Sequence, residues 1–376
     1  MALIEYTFGD LIELYIVQNS DGKYGADSAI GINIDKEIRV MRGDSSRKEL
    51  ERFYIVPPGA FVYNPRGSRK LGLGYNDTSN TYVTTFNNMI FKIRDCASDI
   101  ILPRYLFMYL ARKEWDRKAE FLSWGSSTEV FSWDIFCETS ITLPPLPIQQ
   151  KYVDVYNSML ANQRNYERGL ENLRQAVFAE IDIVKHSADK VPVGDLLEEI
   201  DLRNTDGSIT NIQGINIEKQ FMPSLTDTSS VNIRNYKVLR EGQFAYSSMQ
   251  TGRDECIRIA LYDKDIPALI SPAYSVLQMK ELSAVAEYIM LWFTRPETDR
   301  YGWFASDASI RANLDLDRFY EIQIPMPDTA KQQAIANIYI AYMLRREINE
   351  QLKTQIRDIC PILIKGSLEE GNRIGG

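Results

Sequence analysis

Two stretches of the chain place large side chains at spacings that alternate between four and three. In the first the positions are Tyr152, Tyr156, Met159, Gln163, Tyr166, Leu170, Leu173 and Val177. In the second they are Ile335, Ile338, Tyr342, Arg345, Asn349, Leu352, Ile356, Ile359 and Leu363. This is the heptad rhythm that lays one continuous seam along a helix, and the polar members near the middle of each seam suit register-setting positions. Ordinary amphipathic helices on a globular core would use the same spacing. Each stretch, however, runs for about 35 residues, or roughly 50 Å, which is long for a core helix. Two such helices in one chain can satisfy each other's seams. The pattern therefore predicts an antiparallel pair over 148–186 and 330–363, the second free of proline until Pro361, with both chain termini near one end.

Ahead of each helix the rhythm is different. Short β-branched and aromatic runs, such as Phe86 to Ile93 and Ala268 to Met279, alternate with Gly and Pro turns. A helical spacing appears late in each region, around Leu102 to Trp115 and Leu282 to Phe293. A proline stop, Leu143-Pro144-Pro145-Leu146-Pro147 or Ile324-Pro325-Met326-Pro327-Asp328, then opens the long helix.

The two regions are copies. Gly31-Ile32-Asn33-Ile34-Asp35-Lys36-Glu37 recurs as Gly214-Ile215-Asn216-Ile217-Glu218-Lys219-Gln220, a shift of 214 − 31 = 183. The same shift carries Gly59-Ala60-Phe61-Val62-Tyr63 onto Gly242-Gln243-Phe244-Ala245-Tyr246. Gly9-Asp10-Leu11-Ile12-Glu13 matches Gly194-Asp195-Leu196-Leu197-Glu198 at 185, and Ile141-Thr142-Leu143-Pro144 matches Ile322-Gln323-Ile324-Pro325 at 181. Four matches in one order, drifting only as loop insertions would, mark an internal repeat. The expected fold is α+β: two pseudo-symmetric α+β domains, 1–146 and 188–327, separated by long antiparallel coiled-coil helices in 147–187 and 328–376.

Composition narrows the function. A chain of 376 residues with 44% hydrophobic positions can build real cores. It has no apolar run long enough to span a membrane and no signal-peptide pattern at its start. Cys96, Cys137, Cys256 and Cys360 stand singly, without zinc spacing, so a reduced cytoplasmic protein is expected. A net charge of −8 excludes a surface basic all over, but not local basic faces or a partner that supplies phosphate contacts.

The inventory for catalysis is thin. The one histidine, His186, falls at the expected C-terminal end of the first long helix, where a cation suits the dipole. With it alone, neither a Ser-His-Asp or Cys-His site nor a His-based metal cluster can be assembled. There is no phosphate loop of the Gly-x-x-x-x-Gly-Lys-Ser/Thr kind. Val56-Pro57-Pro58-Gly59 lacks the amide or carboxylate and the aromatic that flank prolines in adenine methyltransferases, and reads as a turn.

A variable α+β domain, a proline stop, a long helix and then the whole unit again resembles the specificity subunit of type I restriction–modification systems. The most specific residues are the paired helix starts, Leu143 to Gln150 and Ile324 to Pro327 followed by Lys331-Gln332-Gln333. Tyr63-Asn64-Pro65-Arg66-Gly67 and Ala312-Asn313-Leu314 also match, although the second copy has Ser247-Ser248 in place of Asn64-Pro65. The resemblance implies two target-recognition domains, each reading one half of a split site in double-stranded DNA. It implies that the helices set the spacing and dock two modification (methyltransferase) subunits, and that a restriction subunit can join them. Tyr156, Tyr166, Leu170, Leu173, Tyr342, Leu352 and Ile356 are then the partner-binding positions on the helices. No cofactor is expected on this chain; S-adenosylmethionine would belong to the methyltransferase partner, and ATP with Mg to a restriction partner.

Reading DNA needs donors and acceptors that reach groove edges and phosphates. The turn after the repeated Gly-x-Phe-x-Tyr strand supplies Asn64, Arg66, Ser68, Arg69 and Lys70 in the first copy, and Ser247, Ser248, Gln250, Thr251 and Arg253 in the second. A second cluster precedes each long helix: Trp124, Ser126, Ser127 and Thr128, then Ser306, Ser309 and Arg311. Taken singly, each of these residues fits a solvated turn as well as a DNA contact. Two other functions use the same features: a stand-alone restriction or modification enzyme, and a coiled-coil adaptor that binds only protein.

Overall fold

A computed structural model describes residues 3–41, 49–66, 70–123, 130–224, 231–249, 254–280, 284–307 and 313–375. The chain divides into two compact units, 1–166 with 348–376 and 167–347.

In the first unit, β1 (Ile4–Thr7), α1 (Phe8–Leu11) and β2 (Ile12–Leu14) lead to β3 (Ile30–Ile32), β4 (Ile38–Val40), β5 (Tyr54–Val56), β6 (Phe61–Tyr63), β7 (Leu73–Tyr75), β8 (Tyr82–Thr84) and β9 (Met89–Ile93). Then come α2 (Pro103–Leu110), α3 (Lys113–Leu122), α4 (Trp133–Glu138) and β10 (Ser140–Leu143). An antiparallel sheet runs β2-β9-β6-β7, and β1 pairs with β10. The helical spacing expected over Leu102 to Trp115 is broken in two, because Arg112 is extended (φ −74°, ψ 149°) and restarts the helix as α3.

The second unit repeats this plan. β11 (Lys190–Pro192), α6 (Val193–Leu196) and β12 (Leu197–Ile200) follow α5 (Leu146–Ser187), and then β13 (Ile212–Ile215), β14 (Phe221–Pro223), β15 (Lys237–Leu239), β16 (Phe244–Ser247), β17 (Arg258–Leu261), β18 (Ala268–Ile270) and β19 (Ser275–Met279). The unit closes with α7 (Ala286–Phe293), α8 (Pro296–Ala305), α9 (Leu316–Tyr320), β20 (Gln323–Pro325) and α10 (Thr329–Gly375). Its sheet β12-β19-β16-β17 has the order of β2-β9-β6-β7, and β11 pairs with β20 as β1 does with β10. Pro296 separates α7 from α8, since the residue before a proline is driven out of helical conformation; Arg295 has ψ 136°.

The repeated Gly-x-Phe-x-Tyr strands β6 and β16 are buried along their whole length, as a central strand must be. A tight turn launches each one. Ala60 N donates to Pro57 O and Gln243 N to Arg240 O, with Gly59 and Gly242 at φ 79° and 80°, where only glycine is unstrained. Around β6, an aromatic core of Phe8, Tyr63, Phe91, Trp115, Phe131 and Phe136 is closed to water. The same role in the second unit falls to Phe244, Tyr246, Tyr288, Phe293 and Phe319.

The long helices pack antiparallel within each unit. In the first, Lys151 pairs with Glu370 at 2.8 Å and Gln163 Nε2 donates to Asn349 Oδ1 at 3.1 Å, so partner numbers fall as α5 advances. In the second, Lys331 on α10 pairs with Glu180 on α5 at 2.5 Å, and Arg345 lies beside Gly169. Along the seams Tyr156, Leu170, Val177 and Ile356 are buried, whereas Arg345 is exposed.

One boundary differs from the sequence expectation. The second helix does not end near Pro361 but continues to Gly375. Pro361 removes one helical hydrogen bond, yet the turns beyond it are tied to the first unit's core. Leu363 and Ile364 are buried there, and the Ser367 and Tyr105 hydroxyls meet at 2.6 Å. Tertiary packing outweighs the local penalty. Leu3 lies against Gly371, so the two ends of the chain meet in this unit.

Candidate nucleic-acid interface

Three side chains recur at the shift of 183 and give each unit its frame. The first is a tyrosine at the end of the central strand. Tyr63 Oη donates to Phe131 O at 3.5 Å, and Tyr246 Oη to Leu314 O at 2.5 Å. Burial raises both phenols above their ordinary pKa, so each remains a hydrogen-bond donor. The second is a glutamine in the first turn of each long helix. Gln149 accepts from Leu102 N at 3.0 Å and donates to Ile100 O and Pro144 O at 2.8 Å each. Gln332 accepts from Val285 N at 3.0 Å and donates to Pro327 O at 2.8 Å.

The third is a lysine in the repeated Gly-Ile-Asn-Ile turn. Lys36 Nζ lies 2.5 Å from Asp116 Oδ1 and donates to Leu71 O; Lys219 Nζ lies 2.6 Å from Asp299 Oδ1 and donates to Phe293 O. Both lysines have positive φ, 64° and 62°. Burial pulls the Lys36 ammonium below its usual range, and Asp116 opposes that pull. The sequence reading missed these pairs. The signal was there: the shift of 183 also carries Glu114-Trp115-Asp116-Arg117 onto Glu297-Thr298-Asp299-Arg300.

This frame stitches together described residues that flank the two candidate clusters of each unit. Phe131 N, which follows the cluster 124–128, donates to Pro65 O at 2.8 Å inside the first turn. Leu314 N, which follows the second unit's cluster, donates to Ser248 O at 2.9 Å. Since 65 + 183 = 248 and 131 + 183 = 314, the two units make the same stitch.

Asn64 Oδ1 accepts from Arg66 N at 3.0 Å, which shapes the turn and leaves Arg66 and Lys70 exposed beside it. Ser248 is half-buried. Ser247 is not available to DNA: it is buried, and its hydroxyl accepts from Met249 N at 3.4 Å. It is the last residue of β16, where an inward-facing position was read as part of the turn. Half-buried Ser306 donates its hydroxyl to Gly302 O at 2.7 Å, ending α8 as Ser123 ends α3 through Ala119 O at 2.5 Å. That hydroxyl serves the helix end. Ser68, Arg69, Trp124, Ser126, Ser127, Thr128, Gln250, Thr251, Arg253, Ser309 and Arg311 lie outside the described residues.

Two exposed phenylalanines were also missed. Phe121 and Phe304, again 183 apart, are 75% and 86% exposed in the last turn of α3 and α8, just ahead of the second cluster of each unit. A large apolar side chain kept in solvent at the same place twice suggests a contact surface rather than scattered exposure.

On the long helices, Tyr156, Leu170 and Ile356 are spent on the chain's own seam, while Tyr166, Leu173, Tyr342 and Leu352 are half-buried. The heptad rhythm marks the side facing the other helix. In the second unit, a cavity of about 390 Å³ opens between the helices and the lysine turn, lined by Arg174, Phe178, Lys219, Asp299, Tyr342 and Arg346 among others. His186 is exposed in the last turn of α5. No helix among the described residues is long and apolar enough to cross a membrane.

No protein-family profile and no curated protein sequence matches the chain. Solved structures do. The S subunit of a type I restriction–modification system from M. genitalium is 12% identical and superposes over 97% of this chain and 95% of its own, with a TM-score of 0.56. A chain from a study of complex assembly and conformational transition of the type I R-M system is 13% identical, covering 98% of each chain, with a TM-score of 0.49. The HsdS subunit from Thermoanaerobacter tengcongensis is 12% identical over 98% and 96%, with a TM-score of 0.39. The first of these establishes a shared fold along nearly the whole of both chains.

Proposed function

We propose that this chain is the DNA sequence-specificity subunit of a type I restriction–modification complex. Each unit reads one half of a bipartite site, and the long helices fix the unread gap and dock two methyltransferase subunits. The observation that carries the reading is the fold shared with the M. genitalium S subunit over almost the full length. The stitched pairs of polar turns support it: a reader of a split site needs one such surface per half, similar in frame and different in side chains.

In this reading the chain performs no chemistry. S-adenosylmethionine would serve the methyltransferase partner, and ATP with Mg a restriction partner. The test is methylation of a library of split duplex sites by the chain together with its methyltransferase partner. The preferred motif should be two short sequences around a fixed gap. Exchanging residues 64–70 should change one half and spare the other. Arg66→Ala should weaken binding by about 1–3 kcal/mol selectively if it grips a guanine edge, or uniformly across sequences if it meets phosphate. A continuous motif, or loop exchanges that alter both halves together, would refute the two-reader reading. Methyl transfer by the chain alone would refute its non-catalytic role.

A further inference from the structure

We propose that Lys36 and Lys219 are positioning residues for DNA readout, fastening the reading turn of each unit to the turn that rests on the long helices. The inference rests on the recognition function proposed above.

The argument begins with backbone strain. Left-handed φ is costly for any residue with a Cβ, and glycine or asparagine would adopt it more readily. Yet both copies keep lysine there, at φ 64° and 62°. The benefit lies in the side chain. Lys36 and Lys219 are 7% and 9% exposed, with their ammonium groups held by Asp116 and Asp299.

Those carboxylates in turn hold the far end of the reading turn. Asp116 Oδ1 accepts from Leu71 N at 3.1 Å, directly after 64–70; Asp299 Oδ1 accepts from Ile257 N at 3.0 Å, just after 247–253. In the first unit, Lys36 also grips Leu71 O, so both main-chain groups of Leu71 are fixed by the pair. In the second unit, Lys219 grips Phe293 O at the end of α7, so its hold on the turn passes through Asp299 alone.

The residue before each lysine reaches the second long helix. Asp35 pairs with Arg357 at 3.3 Å and Glu218 with Arg346 at 2.7 Å, both arginines on α10. Neighbouring residues of one strained turn thus connect the helix to the base of the reading turn, twice and independently. A lysine serving only to fill a core would need neither the aspartate's second bond to the turn nor the acidic neighbour on the helix.

The test selects bound sites from a random duplex library, using the full chain with its methyltransferase partner. It compares wild type, Lys36→Met, Lys219→Met and Lys36→Met/Asp116→Asn, each with its melting temperature. Asparagine retains an acceptor for Leu71 N while removing the orphaned charge, so the double variant should regain most of the stability lost by Lys36→Met. Discrimination at one half-site should nonetheless fall about tenfold or more in both Lys36 variants, with the other half unchanged. Lys219→Met should degrade the other half, and less severely, because its hold is indirect. If discrimination in the double variant recovers with its melting temperature, the lysine is merely structural and the proposal is overturned. The same follows if Lys36→Met loses discrimination at neither half while wild type selects a split motif. If wild type selects no split motif, the recognition reading falls and the proposal falls with it.

Discussion

Gln149 offers a direct measure of how firmly the first α+β domain is fastened to its helix. Its carboxamide is fully buried and makes hydrogen bonds to Leu102 N, Ile100 O and Pro144 O. Each neutral bond contributes about 1 kcal/mol net, and a buried partner left unsatisfied costs about 1–3 kcal/mol. Gln149→Met keeps most of the volume and removes all three bonds, so it should destabilise the first unit by about 3 kcal/mol. Gln149→Ala adds a cavity and should lose more. Gln149→Glu is the sharper control. It retains an acceptor for Leu102 N but sets a carboxylate against two carbonyl oxygens, and it should be no better than methionine. Urea unfolding followed by tryptophan fluorescence gives the differences, and hydrogen exchange at 100–102 reports the local opening. A loss below about 1 kcal/mol for Gln149→Met, or a glutamate variant clearly more stable than the methionine one, would show that packing rather than this clamp holds the helix start.

Other outcomes follow from single contacts. Asn349→Leu should cost about 1–3 kcal/mol, because it orphans the buried Gln163 amide; adding Gln163→Leu should recover that loss, as judged by urea midpoints of the two variants. Asp77 is shared by Arg104 at 2.5 Å and Arg164 at 3.1 Å; burial alone would raise its carboxyl, but the arginines outweigh it and hold it below the ordinary range. Since its folded pKa lies below the unfolded value of about 3.9, its stabilisation is complete well above that pH and is lost as pH falls through the folded value; Asp77→Asn should flatten this part of a pH–stability profile. Phe121→Ala and Phe304→Ala should leave the melting free energy within about 0.5 kcal/mol, yet weaken DNA binding of the assembled complex in a filter or anisotropy assay.

The large features were legible because they are periodic. A seam of fours and threes can be read without knowing what it packs against, and a repeat can be read without knowing what it builds. The failures are instructive in the same terms. The second helix was expected over 330–363, whereas Ile364 and Ser367 bury the following turns against the first domain, a contact across more than 200 residues of sequence. Ser247 was assigned to the turn because it directly follows the repeated Gly-x-Phe-x-Tyr pattern, but it is the last, buried residue of β16. Of the seven helix positions that the resemblance assigns to a partner, Tyr156, Leu170 and Ile356 are buried. In each case the tertiary partner decided the role.

The repeat also explains how one frame can hold two different sets of turns. Most of the recurring bonds run from a side chain to a main-chain atom: Tyr63 and Tyr246 to the carbonyls of Phe131 and Leu314, Gln149 and Gln332 to backbone groups at both ends of a loop, Asp116 and Asp299 to the amides of Leu71 and Ile257. A main-chain partner exists whatever the side chain, so Phe131 can face Leu314, and Leu71 can face Ile257, without disturbing the anchor. The tyrosine, glutamine, lysine and aspartate recur because their side chains make these bonds. The turns between those anchors are free to differ, as Asn64-Pro65-Arg66 does from Ser247-Ser248-Met249. Divergence in the turns and constancy in the anchors are thus two results of one design.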